Sequence, residues 1–149
     1  MKKISILWSL IFMFSIQLSA QEKVLKSDSI AIVTKLFKQQ EEWNKGDINA
    51  FMKAYLKSDK LIFSGSSGPI YGWEATRDRY EKNYSSRLLM GSLTFDILNL
   101  ISLSPTVVQL QGKFHLTRDT SDSSGFFTLT WLKVNEQWFI ISDHTSASS

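Results

Sequence analysis

The chain has no cysteine and only two histidines in 149 residues. The first absence excludes disulfides, a cysteine nucleophile, thiolate metal sites and a lipid anchor on an N-terminal cysteine. An exported domain without disulfides must rely on its core, and aromatics make up 13% of this sequence. The chain also lacks a run long enough to cross a bilayer at its N-terminus. Ile4 to Ile16 is apolar, short of the ~20 residues a helical span needs. Lys2 and Lys3 precede that run, and Leu18-Ser19-Ala20 follows it as a small-residue cleavage site, imperfect because Leu18 is large. Residues 1–20 read as a secretory signal peptide cut after Ala20. The mature chain is then expected in the periplasm or outside the cell, with no stable membrane anchor. The alternative is an uncleaved anchor, which the shortness of the run disfavours.

A strong charge is missing too. Losing Lys2 and Lys3 takes the basic count from 17 to 15, against 14 acidic residues. A near-neutral chain offers no electrostatic case for nucleic acid. There is no internal repeat, low-complexity tract or linker. Removing 20 of the 149 residues leaves 129, which is one domain, 21–149, able to bury about two thirds of its unfolded surface.

What is present begins with helices. Ser27-Asp28-Ser29 supplies N-cap residues for a helix that runs to Lys45 and stops at Gly46. Ile30, Val33, Phe37, Gln40 and Asn44 fall within one arc of it, flanked by Leu36 and Trp43. Asn44 inside that arc is either a buried amide that satisfies backbone groups or a ligand contact. Asp47 caps a second, short helix from Ile48 to Leu56. Lys60 to Ser64 is a short strand, Gly65 to Pro69 a turn, and Ile70-Tyr71 a second short strand. Trp73 to Tyr84 is a third helix with Trp73, Thr76, Arg77, Tyr80 and Tyr84 on one face. Arg77 there either stacks on rings and pairs with Glu81 or anchors an anion.

Strands follow. Leu93 to Leu103 is long and ends at Ser104-Pro105. Val107 to Asp119 has a clean parity: Gly112, Phe114, Leu116 and Arg118 face the core, and His115 faces out. Phe126 to Val134 presents Phe127, Leu129 and Trp131. Asn135-Glu136 turns the chain into a last strand, Trp138 to Ser146. Its apolar residues fall on both parities, Trp138 and Ile140 against Phe139 and Ile141, so both of its faces should be covered. It ends in Asp143 and His144, two adjacent titratable groups that point to opposite faces unless a bulge intervenes. Following Ile140 and Ser142, His144 is expected inward and Asp143 outward.

Helices followed by sequential strands with short turns make an α+β domain with a mostly antiparallel sheet. The run Glu42-Trp43-Asn44-Lys45-Gly46-Asp47, then Phe51 and Tyr55, Tyr71-Gly72-Trp73, Arg79-Tyr80, Met90-Gly91, Leu93-Thr94-Phe95, Gly125 to Leu129, and Trp138 with Asp143-His144-Thr145-Ser146 resembles the SnoaL-like branch of the nuclear transport factor 2-like superfamily, the domain of unknown function 4440. The likeness covers essentially the whole of 21–149, and it lies in the order and spacing of these pieces. It implies a cone-shaped α+β barrel, three helices packed on a strongly curved sheet, with a cavity between helices and sheet. It also implies frequent homodimers through the sheet's outer face.

Relatives of this kind include ketosteroid isomerase, epoxide hydrolases, polyketide cyclases and proteins with no known reaction. The isomerase pattern needs a carboxylate base, a tyrosine and a protonated acid. By order along the fold those places fall on Ser64, Gln39 and Phe127, which cannot do that work. The epoxide-hydrolase pattern needs two carboxylates around an arginine; Arg118 is available without them. The cavity implied here is lined by Trp43, Tyr55, Phe63, Tyr80, Phe114, Arg118 and Trp131, with His144 at its rim. Three readings follow. One is an apolar, aromatic cavity that binds a small apolar or amphipathic molecule. Another is an acid–base lyase, isomerase or hydrolase that uses His144. A third is a dimeric partner module with a residual pocket. Two histidines on opposite faces form no metal cluster, and no cofactor is expected.

Overall fold

The structure, a computed structural model, describes residues 23–148. The expected signal peptide and its cleavage site lie outside the described residues. The elements are α1 (Lys26–Lys45), α2 (Ile48–Phe51) with a 3-10 turn over Met52–Ala54, β1 (Ile62–Gly65), β2 (Gly68–Tyr71), α3 (Trp73–Asn83), α4 (Arg87–Met90), β3 (Ser92–Ser104), β4 (Val107–Thr117), β5 (Ser123–Val134) and β6 (Gln137–Ser148). The single turn α4 joins the three expected helices. It is capped by Ser86, whose side chain accepts from the Leu89 N–H.

The six strands form one sheet in the order β2-β1-β6-β5-β4-β3. All neighbours are antiparallel except β1 and β6, which run parallel. No pairing joins β2 to β3 among the described strands, so the sheet stays open rather than closing as a barrel. The Asn135-Glu136 turn has φ of 47° and 61°, the left-handed pair that a two-residue hairpin needs. Bulges interrupt β3 between Ile97 and Asn99 and β6 opposite Thr130 and Trp131. Bulges bend a strand and reverse which face its later residues occupy.

Helix α1 lies across the concave face. Its buried residues are Asp28, Ile32, Leu36, Gln39 and Trp43, a stripe with helical spacing. This differs from the expected arc: Ile30 is 55% exposed and Phe37 39%, because the face that meets the sheet is rotated toward Ile32 and Leu36. The expected N-cap also differs. Asp28 caps nothing; its carboxylate accepts from the indole N–H of Trp138 at 3.1 Å and from Lys133 Nζ at 2.7 Å. This ties the start of α1 to the β5–β6 hairpin.

The other end of α1 is held to the sheet by side-chain amides. Asn44 Nδ2 donates to the Leu93 carbonyl at 2.9 Å, and Asn44 Oδ1 accepts from the Leu93 N–H at 2.7 Å. Gln40 Oε1 accepts from the Phe95 N–H at 2.6 Å. Strand β3 is an edge, and an edge leaves backbone groups in need of partners. Two amides one helical turn apart supply them. Asn44 therefore serves backbone groups, those of the strand rather than of its own helix.

Candidate functional site

Between the helices and the concave sheet lies a cavity of about 180 Å³. Its walls come from aromatics on the helices α1, α2 and α3 and on strands of the sheet. Trp43 of α1 meets Phe51 edge-on at 5.2 Å and Tyr84 at 4.7 Å. Tyr80 of α3 meets Phe51 at 5.1 Å and Phe63 of β1 at 5.6 Å, both edge-on. Phe95 and Phe127 close the sheet side at 5.2 Å. Gly112 makes room for the last of these, since a Cβ there would meet the Phe127 ring.

The polar centre of the cavity is Asp143, which is 3% exposed. Tyr55 donates its phenol to Oδ2 at 2.7 Å, and Thr145 donates its hydroxyl to Oδ1 at 2.8 Å. The Tyr80 hydroxyl lies 3.4 Å from that of Tyr55. Because the one proton of Tyr55 goes to the carboxylate, the donor in this second contact is Tyr80. Burial raises the Asp143 carboxyl above its ordinary range, against the opposing pull of the Tyr55 and Thr145 hydrogen bonds and of His144 and Arg79. Burial, and then the field of Asp143, push both phenols well above their ordinary values. Both therefore stay protonated as donors through the neutral range.

Two further polar groups line the cavity. Gln39 is 3% exposed, and its Nε2 has no hydrogen-bond partner. Arg79 lies with its guanidinium 4.7 Å over the Phe63 ring. A Cβ at Gly65 would sit 3.1 Å from Arg79 Nη2, so the glycine leaves space for the guanidinium.

Of the residues expected at the cavity, Trp43, Tyr55, Phe63, Tyr80 and Phe114 line it, and Arg118, Trp131 and His144 do not. His144 is exposed on the outer face. The cause is the bulge in β6: Trp131 pairs with Ile140 and Thr130 with Ser142, leaving Ile141 as an extra residue. Trp138 and Ile140 point inward before it, and Asp143 and Thr145 after it. The expected orientation of Asp143 and His144 is thus inverted. Trp131 is on the inward face but lies in the packed core, fully buried. Arg118 follows the end of β4 and folds onto the hairpin loop, where Nε donates to the Ser121 carbonyl at 2.9 Å.

The sequence reading does not place Asp143, Thr145 and Arg79 at the cavity, and it names Gln39 and Phe127 only as the positions where isomerase groups fall; all five line it. A signal for the first two existed. The bulge falls at Ile141, one of the two apolar residues on the second parity of β6. For Gln39 the signal was its place in the stripe Ile32, Leu36, Gln39, Trp43. Arg77, by contrast, stacks on Trp73 at 5.5 Å and pairs with Asp78 and Glu81, the first of its two sequence readings. His115 faces out and lies 3.7 Å from Asp96. Among the described residues no cluster of three metal-ligating side chains occurs.

An open, mostly antiparallel sheet with helices over a cavity at its concave face is the architecture of small-molecule-binding cone folds. An NTF2-like protein of unknown function from Shewanella oneidensis is 33% identical over 79% of this chain and 98% of its own, with a TM-score of 0.76. The chain belongs to the NTF2-like superfamily. A ketosteroid isomerase-like protein from Erwinia carotovora atroseptica shares the fold at 13% identity, covering 84% of this chain and 99% of its own, TM-score 0.69. So does a putative scytalone dehydratase from Novosphingobium aromaticivorans at 14% identity, covering 83% and 85%, TM-score 0.68. At such identities the likeness is one of fold alone. No protein-family model and no curated protein matches the sequence.

Proposed function

We propose that this chain is an exported domain that binds one small, largely apolar molecule in the aromatic cavity, with Asp143 as its central polar contact. The observation that carries this reading is the buried Asp143 carboxyl, fed by Tyr55 and Thr145 and set among aromatic rings. A buried carboxyl costs stability unless it is well paired. Asp143 is paired by Tyr55 and Thr145 and still lines an open cavity, where it can meet a ligand. The test is native mass spectrometry of protein purified from its source, which reads a retained ligand as added mass.

A second reading is an acid–base enzyme, in which Asp143 takes the place first considered for His144. It is favoured by the raised Asp143 pKa beside two phenols that remain protonated. If it holds, a retained ligand is converted in the presence of wild-type protein and persists with Asp143→Asn.

Export rests on the N-terminal pattern of Lys2, Lys3 and the run to Ile16, and intact mass of exported protein should begin at Gln21. The same reading includes a homodimer through the outer sheet face, where Phe126 is 57% exposed. A compact monomer at micromolar concentration in analytical ultracentrifugation contradicts the dimer.

A further inference from the structure

The arginines of the described chain are not equivalent. Arg77 pairs with Asp78 and Glu81. Arg87 donates to the carbonyls of Trp43 and Gly91. Arg118 donates to the Ser121 carbonyl. Arg79 alone among them makes no ion pair or hydrogen bond with a described residue; its contact is the face of Phe63. It is half-buried and lines the cavity beside Gly65 and Ser66. A guanidinium is a planar fork of donors suited to a carboxylate; this one feels the field of Asp143 but makes no direct bond to a carboxylate, so its donor fork is open to one.

Gln39 is an independent observation of the same kind. Its Nε2 is buried without a partner, at the same cavity, on a different element. Buried donors are normally paired, so this one is free for an acceptor brought by the ligand. The size of the cavity limits what that ligand is. An apolar cavity of about 150 Å³ holds one benzene, so about 180 Å³ takes one ring with small substituents. Ring walls at Trp43, Phe63, Tyr80 and Phe127 suit a flat ring, since aromatic pairs favour edge and offset contacts.

We propose that the cavity is selective for single-ring organic acids, with the carboxylate at Arg79 and a ring oxygen accepting from Gln39 Nε2. This rests on the cavity-binding reading above and specifies its ligand class. The charge of the ligand is set by Arg79, the depth of the ring by the cavity volume, and the ring's orientation by Gln39.

The test uses 4-hydroxybenzoate and its uncharged methyl ester as probes, titrated against the mature protein by calorimetry. The acid should bind at least tenfold more tightly than the ester, and added salt should weaken the acid alone. Arg79→Met, which keeps an apolar stem over Phe63, should remove that tenfold preference and leave the ester's affinity within twofold. Gln39→Leu should weaken both probes about equally, since both carry the ring oxygen. Thermal unfolding checks that the variants fold, and the salt comparison on the wild type stands without them. If the ester binds as tightly as the acid at every salt concentration, the selectivity for acids is wrong and the cavity-binding reading survives. If neither probe binds, both are overturned.

Discussion

The phenol of Tyr55 donates to the carboxylate of Asp143 at 2.7 Å, across 88 positions of sequence. This bond joins the segment after α2 to β6 at the centre of the cavity. It holds a buried carboxyl in place and leaves the Tyr80 hydroxyl to donate in turn to Tyr55. Removing the Tyr55 hydroxyl withdraws a group that favours the ionised carboxyl. Tyr55→Phe should therefore raise the Asp143 pKa further, as read by NMR titration of its side chain. It should also cost about 1–2 kcal/mol at neutral pH, in the range of one buried hydrogen bond.

The pH dependence of stability has a definite sign. The folded-state pKa of Asp143 is raised by burial, so the folded protein holds that proton more tightly than the unfolded chain does. The contribution of Asp143 to stability then falls as pH rises from the ordinary carboxylate range through the folded pKa. Asp143→Asn lacks this term. Its stability relative to the wild type should increase across that window, with a slope of at most about 1.4 kcal/mol per pH unit. Urea unfolding at a series of pH values measures it, and a wild type that gains on the variant as pH rises there would contradict the assignment.

The docking of α1 depends on the amide of Asn44, which closes both backbone groups of Leu93. Asn44→Ala should lose about 1–2 kcal/mol and speed amide exchange at Leu93, with Phe95 less affected because Gln40 holds it separately.

Gly112 has no room for a side chain, since a Cβ would meet the Phe127 ring and would sit 2.8 Å from the Asp96 carbonyl. Gly112→Ala should destabilise by about 1–3 kcal/mol, as overpacking does. Where Phe127 yields, the ring moves into the cavity, and ligand retention should fall along with stability.

Much of this fold was legible in the sequence because the patterns that specify it are local. The parity of Gly112, Leu116, Phe127 and Leu129 held, since β4 and β5 pair without an interruption between them. The helices followed from caps and stops such as Asp47 and Gly46. The polar site was less legible, because it depends on events without a local signature. One extra residue at Ile141 turned Asp143 inward and His144 outward. The rotation of α1 that brings Gln39 to the cavity is set by the sheet it meets and by the Asp28 contacts to Trp138 and Lys133. Strand length displaced Arg118: β4 stops at Thr117, one residue before the position where its parity would have turned it inward.

Native mass spectrometry of three proteins from one source, wild type, Asp143→Asn and His144→Ala, separates the two faces of β6. With Asp143 facing the cavity, the same added ligand mass is expected in the wild type and in His144→Ala, and a sharply reduced fraction bound in Asp143→Asn. Loss of the ligand in His144→Ala with full retention in Asp143→Asn would contradict it, because the working face of β6 would then be the outer one.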